Sequence, residues 1–396
     1  MRITLVISSL ALGGAERVMS LLATLWMEQG KEVTLLTLDH GETSAYPIHP
    51  GVKRHGLGLD EKSRYLLQGL FRNLKRISVL RRAIRESRPD VVISFMDTIN
   101  VLTLLATRGL GVPVIVSERI DPKFYNIGPI WSGLRRVTYG FAAALVCQTR
   151  SALARFQAGI RVRGYVIPNP VALPPGFAQY QKQQERKTGH VVSAMGRLVP
   201  QKGFDILLRA FAQIADRHPD WSLVVMGRGP LKAELELQSN ALNLGDRVHF
   251  PGEVSDPFAA LRAADLFVLS SRFEGFANVL CEAMACGLPV VSFDCPSGPS
   301  DIIHDGLDGI LVPPQDVDAL AAAMDRLMGD YGERTRLASR APEVLKHFGA
   351  DRILNMWQEL FEELLLCGAV ERKQSNESSA IQAMCDEDRH CTDPEA

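Results

Sequence analysis

Glu274 and Glu282 stand eight residues apart, with Gly275, Phe276 and Asn278 between them. A carboxylate accepts hydrogen bonds from a vicinal diol, so two of them suit a ligand with hydroxyl groups at both ends. At helical rise the pair would be roughly 12 Å apart, too far to share one hydroxyl. An elongated ligand follows, ribose at one carboxylate and a hexose at the other, with backbone N–H groups near Phe276 to Asn278 facing phosphates between them. Two solvated glutamates on an ordinary helix would show the same spacing, so context must decide. That context lies upstream, where Gly196, Arg197 and Lys202 fall in a short loop ending at Gly203. A diphosphate leaving group gains negative charge as its bond breaks, and Arg197 and Lys202 can neutralise it at a helix amino terminus. No divalent metal is then required, and no metal ligands are assigned. Asp316-Val317-Asp318 imitates an Asp-x-Asp metal motif but sits just ahead of an apolar helix, where aspartate favours the cap.

These residues need strands that end beside them. Leu266–Ser270 reads as a buried strand and Gly287 with Pro289 as stop signals, which puts the loop at the carboxyl end of a parallel strand, where open α/β sheets bind ligands. Further strands are read at Val191–Ala194, Trp221–Met226, Val248–Phe250, Val290–Phe293 and Ile310–Val312. The first half repeats the pattern at Ile3–Ser8, Val33–Leu38, Asp90–Ser94, Val112–Ser117, Ala144–Gln148 and Tyr165–Ile167. The fold class is α/β: two doubly wound, Rossmann-like parallel-sheet domains facing a cleft. The expected boundaries are an acceptor-binding domain over 1–168, a linker over 169–189, a nucleotide-sugar domain over 190–350, a closing helix over 351–366 and a disordered tail over 367–396. Arg228 lies in a tight loop at the end of the Trp221 strand, and Ser297 to Asp301 form a Gly/Pro-rich loop at the cleft edge.

On the opposite wall Gly13, Gly14 and Glu16 join the first strand to the first helix, where glycine permits close backbone approach and the helix terminus favours anions. A plain strand-to-helix turn would look alike. Asp97 and the run Ser117-Glu118-Arg119 also end on the cleft face and are candidates to position an incoming hydroxyl, with capping or ion pairing as the competing roles.

Phe273-Glu274-Gly275-Phe276 followed by Glu282 to Val290 resembles the signature of the family 4 retaining glycosyltransferases, which have the two-domain GT-B fold. The resemblance runs from about Met1 to Leu366 and is most specific between Val191 and Pro314. It implies that Glu274 contacts the donor sugar, Glu282 the ribose, Arg197 and Lys202 the diphosphate, and that the Gly227–Pro230 loop borders the base. Relatives with Gly-Gly-Ala-Glu-Arg extend lipid-linked or surface polysaccharides, and Ser117-Glu118-Arg119 resembles a subgroup acting on polyprenyl-diphosphate saccharides. Many relatives place a histidine near Glu118; this chain has none there. The implied reaction moves a hexose or N-acetylhexosamine from a UDP-sugar to a polyprenyl-diphosphate or lipopolysaccharide-type acceptor, with retention and without a protein nucleophile. A GT-B sugar-nucleotide epimerase and a non-catalytic nucleotide-sugar binder stay open as alternatives.

Composition sets the rest. The chain has 396 residues, 46% hydrophobic and 22% charged, a globular balance with length for two domains. Seven scattered cysteines without Cys-x-x-Cys spacing fit a reducing compartment. The apolar start from Ile3 reads as a core strand, since Gly13-Gly14 and an amphipathic helix follow with no cleavage-site pattern. Residues 1–168 carry 23 Lys and Arg against 12 Asp and Glu, whereas the remainder carries 21 against 33. The first half therefore expects an anionic partner. Between Lys53 and Arg88 there are eleven basic and three acidic residues, with Leu66, Leu67, Leu70, Phe71, Leu74, Ile77, Leu80 and Ile84 at helical spacing. Such a helix can lie on an anionic bilayer, or its stripe can pack on the sheet. Nucleic acid is the other polyanion, but no binding motif or aromatic-basic pattern accompanies the charge. The expected location is cytoplasmic, attached to the inner face of the membrane.

Overall fold

The structure is a computed structural model, and it describes the chain except for residues 42–43, 61–65, 125, 175, 178–188 and 367–396. The expected tail, with Cys385, His390 and Cys391, and most of the expected linker lie outside the described residues.

Two all-parallel sheets form the frame. The first contains β1 (Arg2–Ile7), β2 (Glu32–Thr37), β3 (Lys53–Gly56), β4 (Val91–Phe95), β5 (Val114–Ser117), β6 (Ala144–Cys147) and β7 (Gly164–Val166), ordered 3-2-1-4-5-6-7. The second contains β8 (His190–Met195), β9 (Trp221–Met226), β10 (Val248–Gly252), β11 (Leu266–Leu269), β12 (Val290–Phe293) and β13 (Ile310–Val312), ordered 10-9-8-11-12-13. Continuous apolar runs such as Val91–Phe95 and Leu266–Leu269 are buried along their whole length, as strands covered by helices on both faces must be. In each sheet the order reverses beside the first strand, between β1 and β4 and between β8 and β11. Loops at such a reversal diverge to opposite faces and open a crevice, so the turns after these four strands are the ones placed to hold a ligand.

Helices α1 (Gly14–Glu28), α2 (Leu66–Ser87), α3 (Asp97–Thr107) and α4 (Pro129–Thr138) belong to the first domain. α1 packs on one face of its sheet together with a helix over residues 350–366, whose Ile353, Leu354, Trp357, Leu360 and Phe361 join the core of Ile3, Leu5, Trp26 and Ile93. Trp26 meets Trp357 edge-on at 5.7 Å between ring centres. The end of the described chain is thus tied to the domain where it began. On the other face α3 is buried over most of its length between α2 and α4.

β3 has no counterpart among the expected strands. Lys53-Arg54-His55-Gly56 contains no apolar residue and is exposed throughout, because it forms the sheet edge, where charge discourages pairing with another chain. The expected basic helix therefore shrinks to α2, and its apolar stripe divides. Leu80 and Ile84 are fully buried against the sheet, whereas Phe71 and Leu74 face solvent. The side chains of Leu66, Leu67 and Leu70 lie outside the described residues. Among the described residues no helix is long and apolar enough to cross a membrane.

Candidate active site

The loop after β8 and the loop after β11 are built into each other. Gly196 to Val199 lead into a single turn, Pro200–Lys202, and Gly203 at φ 63° starts the helix Phe204–Ile214. A side chain at Gly203 would meet Ser270 O at 2.0 Å, so glycine is required for conformation and for space. Ser270 Oγ donates to Lys202 O at 2.9 Å, Arg272 N to Gln201 O at 2.8 Å, and the Arg272 guanidinium grips both oxygens of Asp205 at 2.8 and 2.7 Å. This scaffold fixes the functional pair. Lys202 Nζ donates to Glu274 Oε1 at 2.6 Å, and Ser271 Oγ donates to the same oxygen at 2.6 Å. Glu274 is 5% exposed, so its negative charge is sustained by a cation and a hydroxyl rather than by water.

Glu274 precedes the helix Asn278–Ala285 instead of lying on it, whereas Glu282 sits inside that helix and is buried. Both oxygens of Glu282 receive Arg17 Nη1, at 2.8 and 3.0 Å. Burial pushes the Glu282 carboxyl above its ordinary range, and the positive charge of Arg17 offsets that. Arg17 belongs to α1, so this ion pair crosses the cleft. Several other contacts cross with it. Gly14 lies against the Asn278 amide, Asn169 Nδ2 donates to Asn278 Oδ1 at 2.7 Å, and Ser297 Oγ donates to Asp121 Oδ2 at 2.6 Å. A side chain at Gly275 would meet Arg119 O at 2.1 Å. Phe124 and Phe273 stack at 5.0 Å. Burial raises the pKa of Glu16, opposed by a backbone hydrogen bond and by the positive charge of Arg197.

The candidates thus separate into two groups. Gly13, Gly14, Glu16, Gly196, Arg197, Lys202, Glu274, Gly275, Asn278 and Glu282 converge on the two switch-point crevices, whereas the Phe276 ring turns into the core of the second domain and packs edge-on against Phe348 at 5.4 Å. The Asn278 N–H differs from expectation, since it donates to Phe276 O at 3.0 Å rather than standing free. Arg228 borders the crevice through its backbone, with Leu198 N donating to Arg228 O at 2.8 Å, while its exposed guanidinium turns to Glu253 at 2.6 Å. Asp316 Oδ1 accepts from Ala319 N at 2.9 Å, the helix cap that the sequence suggested.

The residues after β4 and β5 face inward. Glu118 is buried, accepts a short hydrogen bond from the Tyr139 hydroxyl and has Arg135 at 3.7 Å. Desolvation, aided slightly by the Asp97 charge and opposed by the Tyr139 hydrogen bond and the Arg135 charge, lifts its pKa to about 7. Arg119 lies over the Phe95 ring at 3.5 Å and donates to Asn169 Oδ1 at 2.5 Å, while its Nε and Nη2 have no hydrogen-bond partner among the described residues. Burial depresses its pKa to about 9. Asp97 Oδ1 accepts from Thr98 N in the first turn of α3. The roles seen are capping, ion pairing and a relay from Arg119 through Asn169 to Asn278. Arg17, Asn169, Ser271 and Asp121 were not among the expected site residues. Of these only Arg17 carried a sequence signal, as the last residue of the Gly13–Arg17 run.

Two parallel-sheet domains that meet at their switch points, with a cationic loop and paired glutamates on one wall, have the GT-B architecture. Comparison with known proteins narrows this. A model of glycosyl transferases group 1 matches residues 177–344, and one of a glycosyl transferase 4-like domain matches residues 13–170. A Campylobacter jejuni GalNAc-alpha-(1->4)-GalNAc-alpha-(1->3)-diNAcBac-PP-undecaprenol alpha-1,4-N-acetyl-D-galactosaminyltransferase is 30% identical over 367 residues, covering 92% of this chain and 99% of that protein. The amylovoran biosynthesis glycosyltransferase AmsD of Erwinia amylovora is 28% identical over 355 residues, 88% of this chain and 95% of its own length. The crystal structure of Anabaena HepE in complex with UDP superposes with a TM-score of 0.72 at 23% identity, over 92% of this chain and 99% of that one. The chain belongs to the family 4 glycosyltransferases, with the GT-B fold.

Proposed function

We propose that this glycosyltransferase moves a hexose or N-acetylhexosamine from a UDP-sugar to a glycan growing on a polyprenyl-diphosphate or lipopolysaccharide-type acceptor, with retention of configuration. The observation that carries the donor half is the Lys202–Glu274 pair, 2.6 Å apart at the β8–β11 switch point. In this reading the diphosphate takes Lys202 and Arg197, Glu274 turns to the sugar hydroxyls, and Glu282 exchanges Arg17 for the ribose diol. Arg228 lies beside the base. The acceptor hydroxyl attacks from the face the diphosphate leaves, and a phosphate oxygen receives its proton. The chain then contributes position and positive charge rather than a nucleophile.

The acceptor half is supported by the polyprenyl-linked substrate in the name of the Campylobacter relative and the polysaccharide role in the name of the Erwinia one. Residues 1–168, with Gly13 and Gly14 at their cleft edge and Arg119 bracing that edge from within through Asn169, bind that acceptor. Their basic surplus, including segment 53–88, holds the enzyme on the anionic inner face of the cell membrane. Which sugar is transferred rests on a single hydroxyl's orientation, a choice one side chain can make.

The test is a panel of nucleotide sugars assayed with the purified enzyme against an undecaprenyl-diphosphate disaccharide, with the anomeric configuration of the product read by NMR. Transfer from one UDP-sugar with an α linkage is expected. A β linkage would remove the front-face mechanism, and transfer to free saccharides at the same efficiency would remove the lipid-linked acceptor.

A further inference from the structure

Helix α4 wears its apolar stripe on the outside. Ile130, Leu134, Val137 and, just beyond the helix, Phe141 recur at helical spacing and are 65%, 38%, 65% and 42% exposed. The side chains turned inward are the less apolar set, Arg135 and Thr138, together with Trp131. A surface helix ordinarily does the reverse, so a face of this kind marks a missing partner. Phe71 and Leu74 of α2, 71% and 54% exposed, add to it from the other side of α3.

The charge around this face is of one sign. From Pro122 to Gln184 the chain contains no Asp or Glu, while Lys123 and Arg136 are exposed within it. Arg108 lies over the Phe141 ring at 3.8 Å, and exposed Lys75 follows Leu74 on α2. A second copy of the chain meeting this face symmetrically would set these cations against their own images, which opposes a dimer. An anionic bilayer accommodates both features, apolar side chains below the headgroups and cations among them.

We infer that α4, with the exposed end of α2, is a membrane-docking face that inserts Ile130, Leu134, Val137 and Phe141 into an anionic leaflet. This deepens the proposed reading of a lipid-linked acceptor, because it seats the first domain where such an acceptor lies. Vesicle binding needs neither donor nor acceptor, so the docking face and the transfer reaction fail separately.

The full-length protein is sedimented with phosphatidylglycerol-phosphatidylethanolamine vesicles and with neutral phosphatidylcholine vesicles. Wild type is expected to pellet with the anionic set, and the double variant Ile130→Ser with Val137→Ser to lose at least about tenfold in partitioning. UDP binding by calorimetry and turnover of a short-chain soluble acceptor stay at wild-type level. Leu237→Ser, an equally exposed leucine of the second domain, serves as the control and should change nothing. Arg136→Glu reads the same face should two serines unsettle the helix, and it too should weaken anionic binding. Equal pelleting of wild type and both variants overturns the inference. So does a wild-type dimer in lipid-free sedimentation that the double variant dissociates, or pelleting that requires an added acidic protein.

Discussion

Glu274 and Glu118 both follow a central strand, both border the cleft in sequence, and both are 5% exposed, yet they have opposite surroundings. Glu274 is held by a lysine and a serine from loops that meet at the crevice, so a ligand that offers hydroxyls and phosphates can take over either partner. Glu118 is held by a tyrosine hydroxyl behind the sheet, with an arginine of α4 at 3.7 Å, and no loop brings it a ligand. Burial at a strand end is therefore common to a carboxylate that opens on the crevice and one sealed behind the sheet. What separates them is whether the partner is replaceable from the cleft.

The sharpest way to break this comparison is to remove the lysine. Lys202→Ala should lower kcat by roughly 10²–10³, or about 2.7–4 kcal/mol, because a preorganised charge facing the leaving group is lost. Asp97→Ala should cost far less, since its carboxylate is engaged with the Thr98 N–H in the first turn of α3. Steady-state turnover with saturating donor compares them, and equal losses would place the reacting groups on the wrong wall.

Glu118 offers the next effect in size, and it is one of stability. Its folded pKa of about 7 lies above the ordinary glutamate value of 4.5, so the folded state binds more protons in that window. Stability accordingly falls as pH rises from about 4.5 to about 7, by about 3 kcal/mol at 1.36 kcal/mol per unit, and stays lost above it. Glu118→Gln keeps an acceptor for Tyr139 without the charge. Urea unfolding at pH 5 and pH 8 should show a pH-dependent loss in wild type that the variant lacks, with turnover kept within a few-fold. A variant as pH-sensitive as wild type would assign the titration elsewhere.

The asymmetry also explains what was legible in the sequence. Arg197 to Gly203 and Ser271 to Glu282 are short loops between strong strand signals, and their side chains meet partners in the adjoining loop, so motif and geometry coincide. Twelve strands announced themselves as apolar runs. β3 did not, because an exposed edge strand of Lys53-Arg54-His55-Gly56 has no buried face to leave a pattern. Glu118 was legible as a strand-end acid but not as a buried one, since that depends on Tyr139, 21 residues on. The outward stripe of α4 was hidden for a similar reason: periodicity names an apolar face without saying which way it turns.

Arg17 is the residue on which the two walls depend together, and although the Gly13–Arg17 run marked it, no local pattern could show its partner Glu282, 265 residues away. The ion pair spans the crevice across the carboxylate assigned to the ribose. If the ribose diol and Arg17 compete for Glu282, Arg17→Met should tighten UDP binding by about three- to tenfold, roughly 0.7–1.4 kcal/mol at 1.4 kcal/mol per decade. It should also lower the melting temperature, since a buried carboxylate loses its counter-charge. Calorimetric titration with UDP and a thermal melt read the two effects on the same sample. Weaker UDP binding with the same destabilisation would reverse the assignment: Arg17 would then hold the donor itself, and the first domain would supply a cation to the diphosphate that the second domain was thought to hold alone.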